Sequence, residues 1–362
     1  MPVPRERPFL KVLHYADENR LSWAIPWAQI IGSLGSRGIK NVVVCRPGGT
    51  LSEILSSAGI DHFEYRPHVS AVPAFCKGFE KLLELIKPDI IHTRLSSAAN
   101  IAGFWAKRTG IPLASTVDKF PKARYYKNAD CLVAVSNSVL AHCSSWGLKG
   151  IPIKVIPNSL DVCQYRPSGF DRNSFRSQHS LDPCDRVILG AGRLVSWKGF
   201  DLIMRSLPTI ANKWKAELWI AGSGPEETKL RNLTNDLSIK VKFWGFVSDI
   251  RPLMWASDLF VLPSVEPEPF GLVLLEAMAA GVPVIASKAG GAMDLVERED
   301  FLFRPGDASD LEAKIQAILE GNSFKELADY SRTRASLFDN LAVLDSFLEV
   351  YRSLVSRNGA VI

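Results

Sequence analysis

The chain has 362 residues, 47% of them hydrophobic and 22% charged, which excludes a disordered protein and favours two globular domains. Its net charge of +5 is uneven, because residues 1–165 hold 20 Lys and Arg against 12 Asp and Glu while the remainder holds 23 against 26. No apolar run approaches the roughly 20 residues of a membrane-spanning helix, and the charged, proline-containing start lacks the apolar core of a signal peptide. We therefore expect a cytoplasmic protein whose basic first half favours an anionic partner, unless that half is only a solvated face.

Short β-branched runs alternate with amphipathic helical stretches through the first half of the chain. The predicted strands are FLKVLHYA, NVVVCR, DIIHTR, PLASTV, CLVAVS and IKVIPN, with helical patterns such as VPAFCKGFEKLLELIKP between them. Such alternation is typical of a parallel sheet built from right-handed βαβ units. Residues 1–165 are therefore predicted to form a doubly wound, Rossmann-like domain.

The alternation lapses between residues 157 and 185, where Pro, Ser, Asn and Asp are frequent, and then resumes. The predicted strands of the second half are RVILGAG, AELWIAG, VKFWGF, LFVLPS, PVIAS and FLFRP. We expect a second Rossmann-like domain over residues 166–345 and a C-terminal helix, 346–362, that packs back on the first domain. Ligands bind beyond the carboxyl ends of strands in such sheets, so two facing domains predict a central cleft.

Two glycine-containing strand ends open the second half. In GAGRLVSWKGFD, Gly192 permits close backbone approach, and Arg193 and Lys198 place two cations at the same sheet edge, which suits a diphosphate. In WIAGSGPEE, Gly222 begins a GxG that lacks the third glycine of a dinucleotide fingerprint. A solvated loop at the first site and a plain tight turn at the second are the alternatives.

The stretch EPEPFGLVLLE carries acidic groups at both ends of an apolar helix. The helix is predicted to begin at Pro269 and to end at Gly281, which exposes unpaired backbone N–H groups to an anion at its start. Carboxylates accept hydrogen bonds from paired sugar or ribose hydroxyls, so the spacing suits a nucleotide sugar. The alternative is a helix cap followed by a carboxylate on a wet face. The residues assigned to this site are Glu268, Phe270, Gly271, Leu272 and Glu276.

The first half offers polar residues at predicted strand ends. His92 and Asp118 fall there, and Asp118 either meets a sugar hydroxyl or caps a turn. A run that interleaves basic and aromatic residues follows, and it suits an anionic membrane or a lipid-linked acceptor better than nucleic acid. The run consists of Lys119, Lys122, Arg124, Tyr125, Tyr126 and Lys127.

Cysteine and histidine spacing gives no sign of a metal site. The six cysteines form no CxxC pair, and the six histidines show no HExxH or other ligand spacing. The sequence therefore predicts buried, reduced thiols and no protein-held catalytic metal.

Several blocks follow one another at defined intervals, namely VAVSNS, VIPNSLD, GRLVSWKGFD, IAGSGP, GFVSDI and ASDLFVLPSVEPEPFGLVLLEAMAAGVPVIASKAGG. In order and spacing they resemble the retaining glycosyltransferases of the GT-B fold, specifically family four, the glycosyl transferases group 1. The resemblance covers nearly the whole chain. Glu268 and Glu276 fit the E-x7-E motif of that family, whereas Glu266 lies two residues too early.

The resemblance implies the side-chain roles on the donor side. Arg193 and Lys198 would hold the donor diphosphate, Glu276 would bind the ribose hydroxyls, and Glu268 would contact the transferred sugar. Backbone and apolar contacts to the sugar, phosphate and base would come from Phe270, Gly271, Leu272 and Val247.

The resemblance also implies the reaction. A hexose-type sugar would move, with retention of its anomeric configuration, from a UDP-, GDP- or ADP-sugar to a glycan or glycolipid acceptor bound by the first domain. The leaving phosphate would help to deprotonate the acceptor, so no metal and no obligatory enzyme nucleophile are needed. A peripheral role on the inner face of a membrane, in lipopolysaccharide, lipid-linked or surface polysaccharide synthesis, is the expected setting.

Two departures from the family pattern concern the acceptor side. Many relatives carry a glycine pair in the first β–α loop, which here reads DENRLSW, and many carry His where this chain has Asp118. Two other functions stay open: a sugar-nucleotide epimerase of the same fold, and a nucleotide-sugar-binding protein without turnover. Intact Glu268, Glu276, Arg193 and Lys198 favour the transferase.

Overall fold

A computed structural model of the chain describes residues 9–18, 23–321 and 323–357. Most of the DENRLSW loop and the last residues of the predicted C-terminal segment lie outside these ranges. Contacts divide the chain into two units. The first comprises the chain up to Asp161 and again from Asp339, and the second is Val162–Phe338.

The first unit is built on a seven-stranded parallel sheet of order β3-β2-β1-β4-β5-β6-β7. All six predicted strands are present, and β3 is an additional strand of three residues that are too polar and too exposed to give a strand pattern. The strands are β1 Leu10–Ala16, β2 Ile39–Cys45, β3 His62–Glu64, β4 Ile90–Arg94, β5 Leu113–Val117, β6 Cys131–Ala134 and β7 Ile153–Val155.

The last helix of the chain belongs to this first unit. It begins at Asn340 instead of the expected residue 346, because Asp339 pairs with Leu160 and the Asn340 amide donates to the Leu160 carbonyl (3.0 Å). Its apolar face, including Tyr351, joins the core formed by the first helix. The helices of this unit are α1 Ala24–Ser36, α2 Thr50–Ser57, α3 Lys77–Ile86, α4 Ser96–Thr109, α5 Asn137–Ser144 and α14 Asn340–Arg357.

The second unit contains a six-stranded parallel sheet of order β10-β9-β8-β11-β12-β13. Its strands are β8 Arg186–Ala191, β9 Ala216–Ala221, β10 Val241–Gly245, β11 Leu259–Leu262, β12 Val284–Ser287 and β13 Leu302–Phe303. Its helices are α6 Arg172–Gln178, α7 Phe200–Trp214, α8 Glu227–Leu237, α9 Arg251–Ala256, α10 Leu272–Ala279, α11 Ala292–Leu295, α12 Ala308–Glu320 and α13 Phe324–Ser336. Each unit is therefore a doubly wound α/β domain, as the sequence predicts.

The strand order of each sheet reverses at one point. In the first sheet the reversal lies between β1 and β4, and in the second it lies between β8 and β11. Open α/β sheets bind ligands beyond the carboxyl ends of the strands at such a reversal. The loops that follow β4, β8 and β11 are therefore the places to look for functional side chains.

None of the six cysteines, all of which lie in the described ranges, forms a disulfide, and four of them are buried as expected. The expectation is wrong for Cys163 and Cys184, which are exposed because they lie in the irregular segment between the two sheets. Among the described residues, no helix combines the length and the apolar character that crossing a membrane requires.

Candidate active site

Two donors hold Glu268 at the strand-order reversal of the second sheet. Its carboxylate accepts hydrogen bonds from Lys198 Nζ and Ser264 Oγ, and only 5% of the residue is exposed. Lys198 follows β8 in a short 3-10 helix, whereas Ser264 and Glu268 follow β11. Because β8 and β11 are neighbours, groups 70 residues apart in sequence form one buried cluster. Burial of a carboxylate needs such partners.

A glycine pair supports the Glu268 loop from the other side. Glu268 pairs with Gly290 as an isolated parallel bridge, and the Gly291 amide donates to the Glu268 carbonyl (2.7 Å). A Cβ atom at Gly290 would lie 2.1 Å from that carbonyl oxygen. Both glycines are therefore required for the β12–α11 loop to lie directly against the Glu268 backbone.

At the carboxyl ends of β8 and β9, the two backbones approach each other closely at Gly192 and Gly222. A Cβ atom at Gly222 would lie 1.8 Å from the Gly192 carbonyl oxygen, and φ of Gly222 is +138°. The predicted tight turn is thus also a site of close backbone approach. Arg193 follows Gly192 and is exposed, and its side chain has no partner within the described part of the chain. It is therefore available to bind an external anion.

Helix α10 begins later than the sequence predicts. Its first residue is Leu272, after Gly271 in a left-handed conformation (φ +98°), and not Pro269. A right-handed helix cannot run through a residue in that conformation, so α10 starts only after Gly271. Phe270 consequently lies outside the helix, and its ring is buried against Phe338. Of the three predicted amide donors, only Leu272 belongs to the first turn.

Glu276 lies in α10, half-buried, four residues after the helix start. The Tyr165 hydroxyl donates to Glu276 Oε1 at 3.0 Å. Burial raises the pKa of Glu276 to about 7, the hydrogen bond from Tyr165 lowers it, and the negative charge of Asp249 raises it. Near neutral pH this carboxyl group therefore changes charge readily, which a carboxylate on a fully wet face would not do.

Val247 follows β10, the edge strand of the second sheet, and is half-buried beside the exposed Phe246. Asp249, in the same loop, forms an ion pair with Arg251. The loop that contains Val247 thus lies on the Glu276 side of the site, since Asp249 acts on the Glu276 charge.

In the first unit, Asp118 follows β5 and is bound by Arg94, the last residue of β4. Arg94 Nε lies 3.1 Å from Asp118 Oδ1, and Arg94 Nη2 also donates to Asn158 Oδ1 (2.6 Å). The Arg94 guanidinium lies over the Trp23 ring, 4.2 Å from its centroid. Asp118 is thus half of a buried ion pair at the reversal of the first sheet, and not a free carboxylate.

Two assignments in the first unit need correction. His92 does not lie at a strand end: it is an interior residue of β4, its ring nitrogens bond Tyr351 and Thr116, and burial holds its pKa well below the usual value. Tyr126 is not part of a surface run, because it is 2% exposed and stacks on Trp146. Both rings are thus taken up by contacts inside the first unit.

The structure thus joins Lys198 with Glu268 and places Gly192, Gly222 and Val247 on neighbouring strand ends of the same unit. Asp118 belongs to the other unit. Sequence reasoning missed Ser264, Tyr165 and Arg94. Ser264 lies only four residues before Glu268, so their contact could have been predicted from the sequence. Tyr165 lies in the irregular segment, 111 residues from Glu276, and no local pattern indicates that contact.

Among the described residues, no group of three or more His, Cys, Asp or Glu side chains stands close enough to hold a metal ion. Lys198 places a positive charge against Glu268, and Arg193 lies exposed just after β8.

Comparison with known proteins gives matches along nearly the whole chain. The family model "Glycosyl transferases group 1" matches residues 171–335, and "Glycosyltransferase Family 4" matches residues 27–163. The lipopolysaccharide core biosynthesis glycosyltransferase LpsE of Rhizobium meliloti is 26% identical over 337 residues, which are 90% of this chain and 94% of LpsE.

Solved structures extend the likeness to the fold. HepE of Anabaena in complex with UDP has a TM-score of 0.84 and 25% identity, over 95% of this chain and all of HepE. WaaG, a glycosyltransferase of lipopolysaccharide biosynthesis, has a TM-score of 0.70 and 15% identity over 94% of this chain and 99% of WaaG, so it supports the fold alone. The two parallel sheets and these neighbours define a two-domain, Rossmann-like GT-B fold.

The name of LpsE and the UDP complex of HepE support the class of sugar-nucleotide-dependent glycosyltransferases. The two family matches, which follow each other along the chain, support a group 1 glycosyltransferase.

Proposed function

We propose that this enzyme is a retaining hexosyltransferase that uses a nucleotide-diphosphate sugar. The observation that carries the proposal is the cluster of Lys198, Ser264 and Glu268 at the strand-order reversal. A buried carboxylate already bound by two donors has lone pairs left for sugar hydroxyls. Arg193, exposed and unpaired within the described residues, supplies a second cation for the diphosphate.

The reaction that fits these groups is displacement at the anomeric carbon. The bond from C1 to the diphosphate oxygen breaks, and the bond from C1 to the acceptor oxygen forms on the same face of the sugar. The acceptor proton passes to an oxygen of the departing phosphate. Lys198 and Arg193 stabilise the negative charge that develops on the diphosphate, a role that cations fill without a bound metal. Metal independence is part of the proposal.

The acceptor that we propose is a glycan or glycolipid of lipopolysaccharide, lipid-linked or surface polysaccharide synthesis. The name of LpsE, which matches nearly the full chain, supports this class. The donor that we propose first is a UDP-sugar, because HepE has been solved with UDP and with UDP-glucose. GDP- and ADP-sugars remain donors to test.

Asp118 stays a proposed contact of the transferred sugar, although it is paired with Arg94. Its second carboxylate oxygen is the more distant partner of Arg94 Nε (3.3 Å) and can accept a further hydrogen bond.

The test is an assay of nucleotide-diphosphate release with UDP-, GDP- and ADP-sugars, in the presence and absence of EDTA. A transferase releases the nucleotide in proportion to the sugar transferred, and the anomeric proton coupling of the product reports retention or inversion. Isomerised sugar without an acceptor would instead identify an epimerase. Nucleotide-sugar binding without turnover across many acceptors would identify a binding protein and contradict the proposal.

We further propose that the first unit contacts the anionic membrane that carries the acceptor. Exposed apolar residues cluster before α3, with Val72 42% and Phe75 63% exposed. This loop and the basic run both lie against α4, because Asn100 bonds the Ser70 carbonyl and Ser96 bonds Tyr126. Apolar side chains beside basic ones are typical of peripheral attachment to an anionic bilayer. The exposed basic residues of the run are Lys119, Lys122, Arg124 and Lys127.

Phe75→Ser is expected to weaken binding to vesicles of mixed phosphatidylglycerol and phosphatidylcholine by about tenfold, because it removes the most exposed ring of the cluster. Co-sedimentation measures the bound fraction. Leu85→Ser is the matched control, since Leu85 is 67% exposed at the other end of α3. Equal binding of wild type to pure phosphatidylcholine, or an equal loss in both variants, would refute this surface.

A further inference from the structure

Within the described part of the chain, Tyr165 is the side chain that forms a hydrogen bond with Glu276. Its hydroxyl donates to Glu276 Oε1 at 3.0 Å from the 3-10 helix Val162–Tyr165. This short helix opens the second unit, directly after the chain leaves the first. The side chain is half-buried. The contact is therefore made by a segment outside the sheet and its connecting loops.

The backbone around Tyr165 is fixed to the β10–α9 region. Trp255 Nε1 donates to the Tyr165 carbonyl at 2.6 Å, and Arg251 Nη1 donates to the Gln164 carbonyl at 3.1 Å. Arg251 also forms two hydrogen bonds of 2.8 Å to the Asp249 carboxylate. Tyr165 thus lies between the loop that contains Val247 and the helix that contains Glu276, and its position is set by backbone contacts and not only by its own hydroxyl.

We propose that Tyr165 is a positioning residue for the nucleotide: its hydroxyl holds the Glu276 carboxylate in one orientation, in which the free acceptor positions can bind the ribose hydroxyls. This inference rests on the proposed function, in which Glu276 binds the ribose. Tyr165 itself would not contact the reacting atoms. It would contribute to donor affinity and not to the rate of the chemical step.

The Tyr165 hydroxyl can orient the Glu276 carboxylate without competing with the ribose hydroxyls for it. An ionised carboxylate has two oxygens and about four acceptor positions, and the Tyr165 hydroxyl occupies one of them. The remaining positions are available to a pair of hydroxyl donors. A bond fixed on one oxygen limits rotation of the carboxylate, which lowers the entropy lost when a ligand binds.

The charges that face Glu276 explain why the hydroxyl matters. Burial disfavours the carboxylate, and the negative charge of Asp249 acts in the same direction, whereas the bond from Tyr165 favours it; the resulting pKa of Glu276 is about 7. The nearby cation, Arg251, forms its ion pair with Asp249. Of these three influences, the bond from Tyr165 alone opposes protonation of Glu276, so its pKa would rise further without that bond.

The test compares wild type with Tyr165→Phe by isothermal titration calorimetry, using UDP, GDP and ADP as probes. Because the ribose hydroxyls donate to the ionised form, affinity falls as the pH drops below the pKa of Glu276. A rise of about one pH unit in this pKa would reduce the ionised fraction at about pH 7 from about a half to about a tenth. We therefore expect about fivefold weaker binding at about pH 7 and equal binding at about pH 9.

Proton release distinguishes positioning from a structural defect. At about pH 7, wild type should release about half a proton on binding the nucleotide, and Tyr165→Phe about nine-tenths, measured in buffers of different ionisation enthalpy. Glu276→Gln removes this component and corrects for protons that leave the nucleotide itself. In the Glu276→Gln background, Tyr165→Phe should have no further effect on affinity. In the activity assay, Tyr165→Phe should raise KM for the donor and leave kcat within about twofold of wild type.

Tyr330→Phe is the matched control, because the Tyr330 hydroxyl is buried in the same unit without a hydrogen-bond partner among the described residues. It should bind nucleotide as wild type does. Unchanged affinity and proton release in Tyr165→Phe would overturn the inference and leave the proposed function intact, as would tighter binding, which would mean that Tyr165 competes with the ribose. Failure of wild type to bind any of the three nucleotides would overturn the proposed function, and the inference with it.

Discussion

Lys198→Ala is expected to lower kcat/KM for sugar transfer by about 10²- to 10³-fold, the range found when one donor that stabilises developing negative charge is removed. Lys198 Nζ is the cation bound to Glu268 at the strand-order reversal, and its side chain is only 13% exposed. The same substitution leaves the Glu268 carboxylate buried with Ser264 as its remaining donor. We therefore also expect a loss of stability of about 3 kcal/mol or more. Nucleotide release and urea unfolding measure the two effects.

The two effects of Lys198→Ala are separated by the double variant Lys198→Ala with Glu268→Gln. A neutral amide no longer needs a counter-charge, so stability should return while activity stays low. Lys229→Ala is the control, since Lys229 is 73% exposed on α8 of the same unit. If Lys198→Ala kept kcat/KM within about threefold of wild type, Lys198 would not bind the diphosphate as proposed.

Gly222→Ala is expected to destabilise the second unit by about 3–5 kcal/mol and to abolish nucleotide binding. The new Cβ atom would lie 1.8 Å from the Gly192 carbonyl oxygen, and the backbone has φ of +138°. To relieve the clash, the ends of β8 and β9 must separate, and this moves the loop that leads to Arg193 and Lys198. Urea unfolding followed by tryptophan fluorescence, together with calorimetry with UDP, measures both consequences.

Gly306→Ala separates the clash from the backbone strain. Gly306 has φ of +77°, and a Cβ atom there would meet nothing within 4 Å. This variant should therefore lose only about 1–2 kcal/mol. An equal loss in the two variants would mean that the close approach of Gly192 and Gly222 is relieved without disturbing the site.

The fold could be predicted from local patterns because both sheets consist mainly of buried parallel strands. Such strands are continuous apolar runs, and RVILGAG and CLVAVS show this plainly. The strand that escaped prediction, β3, has half-buried and exposed residues and therefore carries no apolar signal. The same reasoning found the strand ends that bear Lys198 and Glu268, since parallel strands place all their carboxyl ends at one edge.

Helix boundaries and side-chain partners could be predicted less well from the sequence than the strands. The sequence favours a helix from Pro269, because Pro fits a first turn, but the left-handed conformation of Gly271 delays the start to Leu272. His92 follows two apolar residues in a strand, and nothing local distinguishes a buried polar position from a strand end. Its partners Thr116 and Tyr351 are 24 and 259 residues away.

The sequence by itself determined two wound α/β halves, the uneven charge, and the set of glycines, cations and carboxylates at strand ends, because each of these depends on residue types at short spacing. Only the tertiary structure decided which of these groups meet. Lys198 and Glu268 pair because β8 and β11 are neighbours, Asp118 is bound by Arg94 because β4 and β5 are neighbours, and Tyr165 reaches Glu276 across 111 residues. Strand order and long-range packing set these contacts, and neither is encoded in the spacing of residues along one segment.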